Sequence, residues 1–235
     1  MKTIGLLGGM SWQSTVSYYQ AINHGVAEAL GGLHSAKVNL VSVDFADIEK
    51  LQHQGKWQET TEILAVAAQN VERSGADCLL ICTNTMHKVA EQVQSAIDIP
   101  LIHIADATGQ QLVDDHVTKV GLLGTAFTMS ESFYKGRLTE TFGLEVIVPN
   151  DERQQTVHQI IYDELCHGNI IEASKKSYLE IIEALRVQGA QAIILGCTEI
   201  ALLISDRDTE LPLYDTVAIH AQAAVNFALD NNQIR

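Results

Sequence analysis

The sequence predicts an α/β protein made of two pseudo-symmetric, doubly wound parallel-sheet domains, with an active site in the cleft between them. Three observations carry this expectation. The stretch Gly75-Ala-Asp-Cys-Leu-Leu-Ile-Cys-Thr83-Asn-Thr85 recurs as Gly189-Ala-Gln-Ala-Ile-Ile-Leu-Gly-Cys197-Thr-Glu199, which lays Thr83 over Cys197. Three further segments repeat in the same order: Lys2-Thr-Ile-Gly-Leu-Leu-Gly8 as Thr118-Lys-Val-Gly-Leu-Leu-Gly124, Leu51-Gln-His53 as Leu165-Cys-His167, and Ile99-Pro-Leu-Ile102 as Leu211-Pro-Leu-Tyr214. Short apolar runs also alternate with helix-patterned segments, the order expected of parallel strands joined by helical crossovers.

Taken in order, the first half reads as a strand at 3–7, a helix at about 14–30, a strand at 37–44 and a helix at about 59–74. It continues with a strand at 78–82, a helix at 85–96 and a strand at 101–104. The second half repeats that order, and an apolar helix at about 217–229 is expected to return to the first domain. The boundaries expected are therefore 1–103 plus 217–235 for one domain and 104–216 for the other. Halves of about 115 residues are long enough for a core each.

Composition narrows the function classes. Hydrophobic residues make up 46% of the 235, which describes a packed chain rather than a disordered one. The opening residues run straight into a strand pattern and no apolar run is long enough to span a bilayer, so the expectation is a cytoplasmic protein without membrane association. A net charge of −14 without a basic patch argues against nucleic acid as a partner. Four cysteines without a secretory pattern read as free thiols, not as a disulfide framework.

Both copies of the first strand end in glycine, at Gly8-Gly9-Met10-Ser11 and Gly124-Thr125-Ala126, where a tight turn can open a helix whose N–H groups hold an anion. Neither glycine-rich nucleotide fingerprint is present. The two strand ends carry the chemistry. Cys197 follows an apolar strand and precedes the start of a helix, whose dipole would lower its pKa, and a buried structural thiol is the alternative. Thr83 holds the equivalent place, and strand alternation turns Cys82 to the opposite side. Cys78 and Cys82 are too far apart on one strand to share a metal ion, and no second pair exists, so no metal is expected. His87, one helical turn after Thr83, and His103 read as structural histidines, with tuning of a thiol as the alternative.

The segments Leu7-Gly-Gly-Met-Ser11, Ile81-Cys-Thr-Asn-Thr-Met-His87 and Gly196-Cys-Thr-Glu199 resemble the aspartate/glutamate racemase superfamily, and the likeness spans essentially the whole chain. The resemblance implies cofactor-independent chemistry in which two residues, one per domain, serve opposite faces of an amino-acid Cα. It makes Cys197 the second-half acid/base and Thr83 its first-half partner, a departure from a cysteine pair that resembles the subgroup of L-aspartate/glutamate-specific racemases with a threonine/cysteine pair. It also implies substrate contacts from Met10, Ser11, Gln52, Asn84, Thr85, Thr198 and Glu199. Where aspartate racemases carry a cation in each half, Gln52 and Cys166 stand here, which loosens the case for a strict dicarboxylate. The expected partner is a small amino acid, with a homodimer left open. Two alternatives stand beside this reading: a single-cysteine decarboxylase or isomerase of a small dicarboxylate, and a non-catalytic amino-acid-binding protein.

Overall fold

A computed structural model describes residues 1–230. In chain order the elements are β1 (Ile4–Gly8), α1 (Trp12–Leu30), β2 (Val38–Ser42), α2 (Phe45–His53), α3 (Trp57–Arg73), β3 (Cys78–Ile81), a 3₁₀ turn (Thr85–Val89) and α4 (Ala90–Gln94). Then come α5 (Ile104–Asp114), β4 (Lys119–Gly124), α6 (Ala126–Ser130), α7 (Ser132–Phe142), β5 (Glu145–Ile147) and α8 (Asp151–Gln159). A π turn (Ile160–Glu164) and a 3₁₀ turn (Leu165–His167) lead into α9 (Glu172–Val187), β6 (Ala192–Gly196), α10 (Ile200–Leu203), β7 (Leu213–Asp215) and α11 (Thr216–Leu229). The described residues form two compact units, 1–104 with 217–230 and 105–216.

The first unit holds a parallel sheet in the order β2-β1-β3, and the second a parallel sheet in the order β5-β4-β6-β7. The repeat accounts for both. β1 corresponds to β4 and β3 to β6, and the isolated pairing of Leu79 with Leu101 stands where Ile193 pairs with Leu213 of β7. The fourth strand expected at 101–104 is thus reduced to that one bridge, because Ile104 already opens α5. Gly75 and Gly189, the first repeated position, hold φ of +90° and +95°, a left-handed turn into the strand that glycine adopts without strain.

Period-two alternation divides β3 between two cores. Leu79 and Ile81 pack with Ile48, Leu64 and Val71, whereas Cys78, Leu80 and Cys82 pack with Tyr18, Ile22 and the α11 residues Val217 and Ala221. α11 therefore closes the far face of the first unit, and the Lys2 N–H donates to the Ala228 carbonyl at 2.9 Å. Each fully buried Leu or Ile contributes about 1.5–3 kcal/mol from the water it sheds. Two sequence expectations change in detail. The helix α2 stands where none was expected, N-capped by Asp44, whose Oδ1 accepts from the Ala46 N–H at 3.1 Å. The helix expected at 85–96 divides into the 3₁₀ turn and the short α4.

Candidate functional site

In the first unit, β1 and β3 are neighbours with Leu7 opposite Ile81, so Met10, Ser11 and Thr83 leave the sheet from the same carboxyl edge. The Ser14 hydroxyl donates to the Cys82 carbonyl at 2.9 Å and ties α1 to that edge. Gly9 turns the chain at φ +94°, and a Cβ there would collide with the Val43 carbonyl. Its N–H is already taken by Thr15 Oγ1 at 2.8 Å, and Ser11 Oγ accepts from the Ser14 N–H at 3.4 Å as the N-cap of α1. The Met10 side chain lies in the core, so only its backbone can serve a ligand.

Cys82 is wholly buried, and burial pushes its thiol far above the ordinary range. Thr83, the next residue, is partly exposed, while Asn84 and Thr85 are buried. Gln52, on α2, is 3% exposed, and its Nε2 has no hydrogen-bond partner among the described residues. A buried donor left in that state costs about 1–3 kcal/mol.

The second unit presents a different arrangement. Cys197 is partly buried, and its thiol donates to Glu199 Oε2 at 2.8 Å. The Thr198 hydroxyl donates to the same oxygen at 2.6 Å. The thiol is held well above its ordinary pKa by burial first, then by the Glu199 charge and hydrogen bond, and then by Cys166. The sequence expectation was the reverse, a thiolate favoured by a helix start. α10 has four residues, and a full carboxylate charge against the sulfur outweighs the roughly half charge of a helix end.

Cys166, the repeat partner of Gln52, is raised to about 12 by burial and by Glu199. Tyr178 is buried beside these groups, and burial followed by the nearby Cys197, Glu164, Cys166 and Glu199 holds its phenol un-ionised. Its hydroxyl donates to the Val157 carbonyl at 3.3 Å. Glu164, last residue of the π turn, keeps a buried Oε2 without a hydrogen-bond partner among the described residues. Neither Tyr178 nor Glu164 was singled out from the sequence. Tyr178 reads there as one more apolar position on a helix, and a π turn has no sequence signature, although such turns gather at functional sites. Among the described residues, no group of three or more His, Cys, Asp or Glu side chains is arranged to hold a metal ion.

A thiol sharing its proton with a carboxylate can move a proton to and from carbon. The duplicated α/β architecture carries such a pair at one strand end and a hydroxyl at the equivalent end. The chain belongs to the Asp/Glu/hydantoin racemase family, whose model matches residues 7–224, and it is an enzyme of the amino-acid racemase class. It is 26% identical over 230 residues to the broad specificity amino-acid racemase RacX of Bacillus subtilis (strain 168), covering 95% of this chain and 96% of that one. A crystal structure from Yersinia pestis, of a protein assigned to the Asp/Glu racemases, superposes with a TM-score of 0.94 at 52% identity, covering 98% of this chain and 100% of that one. An aspartate racemase homologue from Pyrococcus horikoshii OT3 superposes with a TM-score of 0.86 at 34% identity, over 97% and 99% of the two chains. Among the described residues no helix is long and apolar enough to cross a membrane.

Proposed function

We propose that the protein racemises L-aspartate or L-glutamate, and other polar amino acids with them, by taking the Cα proton on one face and returning one on the other. The observation that carries the reading is the 2.8 Å bond from the Cys197 thiol to Glu199 Oε2. Glu199 takes the thiol proton as the sulfur approaches the Cα hydrogen of the L-enantiomer. The thiolate removes that hydrogen, and the electron pair moves into the α-carboxylate. The Thr83 hydroxyl then delivers its proton to the opposite face, and water, carrying the proton released by Glu199, restores the hydroxyl. No pyridoxal phosphate or metal has a part in these steps, so chelators and carbonyl reagents should leave turnover intact.

Substrate contacts follow from the same residues. Backbone groups at Met10 and Ser11, with Asn84, Thr85 and Thr198, hold the α-carboxylate. The unpartnered Gln52 Nε2 supplies a neutral donor to a side-chain oxygen, which admits amide and hydroxyl side chains as well as carboxylates. The test is incubation with L-Glu, L-Asp and an aryl malonate in deuterated water, followed by chirality and label analysis. Deuterium at Cα together with D-product supports racemisation. Loss of carbon dioxide from the malonate without amino-acid exchange would replace it with decarboxylation.

A further inference from the structure

Behind Thr83 three imidazoles are packed out of water: His87, His103 and His220 are 3, 7 and 0% exposed. The His87 ring meets the His103 ring edge to face at a centroid separation of 4.6 Å and the His220 ring at 5.7 Å. His220 is itself fixed. Its Nε2 donates to the Ile102 carbonyl and its Nδ1 accepts from the Tyr18 hydroxyl, both at 2.7 Å.

Partner chemistry settles the state of His87 as well. The Thr83 carbonyl can only accept, so the His87 Nδ1 at 2.8 Å carries a hydrogen; the Ile104 N–H can only donate, so the Nε2 at 3.2 Å is bare. The ring is neutral and bridges the end of β3 to the start of α5. The place of the bridge matters. The last ladder bond at this strand end runs from the Cys82 N–H to the Leu7 carbonyl, and the 3₁₀ turn begins with the His87 N–H on the Asn84 carbonyl. Thr83 lies between the two, and its carbonyl is taken by the His87 side chain.

We infer that His87 is the positioning residue for Thr83: by clasping that carbonyl it fixes the peptide, and with it the direction in which the hydroxyl offers its proton. Threonine is β-branched and stiff at χ1, so holding its backbone largely holds its hydroxyl. This rests on the reading of Thr83 as proton donor.

The experiment follows L-substrate in deuterated water and measures two products, deuterated D-enantiomer from delivery on the Thr83 face and deuterated L-enantiomer from return on the Cys197 face. Their ratio isolates Thr83. His87→Asn places an amide N–H where Nδ1 lies and should keep the ratio within about twofold of wild type. His87→Gln reaches the Nε2 position instead and should lower the ratio about tenfold while total Cα exchange falls less than threefold; His87→Phe should match it. The Cys197-face product serves as the internal measure of folded enzyme, and the Asn and Gln variants decide the matter if the Phe variant does not fold. An unchanged ratio in His87→Gln, or a parallel fall of both products in His87→Asn and His87→Gln alike, overturns the inference. Absence of any Cα exchange in wild type overturns instead the racemase reading beneath it.

Discussion

The two copies of the strand-end segment share a backbone and differ in what stands behind the reactive residue. At the end of β3, Thr83 has a neutral imidazole on its carbonyl and an apolar core behind its neighbour Cys82. At the end of β6, Cys197 has a carboxylate on its sulfur, a hydroxyl on that carboxylate, and a second thiol close enough to raise its pKa. One copy holds a hydroxyl beside a neutral imidazole, and the other couples a thiol to a carboxylate. The repeat gives two equivalent strand ends, and Thr83 with His87 four residues on, against Cys197 with Glu199 two residues on, makes them chemically unequal.

The largest effect should come from removing the thiol. Cys197→Ala should lower Cα deuterium exchange from L-substrate by about 10²–10⁴, the range over which a positioned acid or base contributes. Retention of exchange within tenfold would place the base elsewhere. Glu199→Gln tests the coupling itself and has two readouts of opposite sign. Exchange should fall by about 10², because the proton acceptor is gone. Alkylation of Cys197 by iodoacetamide should nevertheless reach its midpoint at lower pH, because the charge and hydrogen bond on Glu199 both raise the thiol pKa and their removal lets it fall. In wild type the alkylation rate should keep climbing as pH rises past 9, since the folded thiol titrates above that value. An alkylation profile that stays in place in Glu199→Gln would detach the carboxylate from the thiol.

Much of this comparison was legible in the sequence, and what was not has physical reasons. The ordered repeats are sufficient to give the parallel sheets, because two of the repeated runs form the central strand pairs β1/β4 and β3/β6, whose residues are almost all buried. Strand parity turned Cys82 away from the side Thr83 faces, and the buried core around Cys82 accords with it. The coupling of Cys197 to Glu199 was not legible: two residues apart on a turn, the side chains meet or diverge according to rotamer. The His220 contact joins residue 220 to residues 18 and 102 through α11, a pairing without local signature. The helix α2 was missed because its apolar positions, Phe45, Ile48 and Leu51, are few and lie among charged neighbours.

A smaller effect should appear in the direction of turnover. With a thiol base on one face and a hydroxyl on the other, L-substrate should show the higher kcat, while kcat/KM must match in both directions because the equilibrium constant of a racemisation is one. Thr83→Cys should sharpen or break the inequality: it places an ionisable group where the D-enantiomer presents its Cα hydrogen, and should raise D-substrate exchange several-fold. Unchanged D exchange in that variant, with L turnover intact in Thr83→Ala, would make Thr83 a structural cap.

The smallest effect separates neighbours. Cys82 precedes Thr83 and carries the same thiol as Cys197, yet it stands among Tyr18, Ile22 and Val217, and burial keeps it protonated. Cys82→Ala removes one sulfur from a close-packed core, so unfolding in urea should show a loss of about 1 kcal/mol from the lost burial and the small void. Racemisation measured on the folded protein should stay within about twofold, since nothing that touches substrate has moved. A fall in exchange comparable to that of Cys197→Ala, with the urea midpoint hardly shifted, would show that the first copy acts through its own thiol. The asymmetry between the two strand ends would then lie in burial alone.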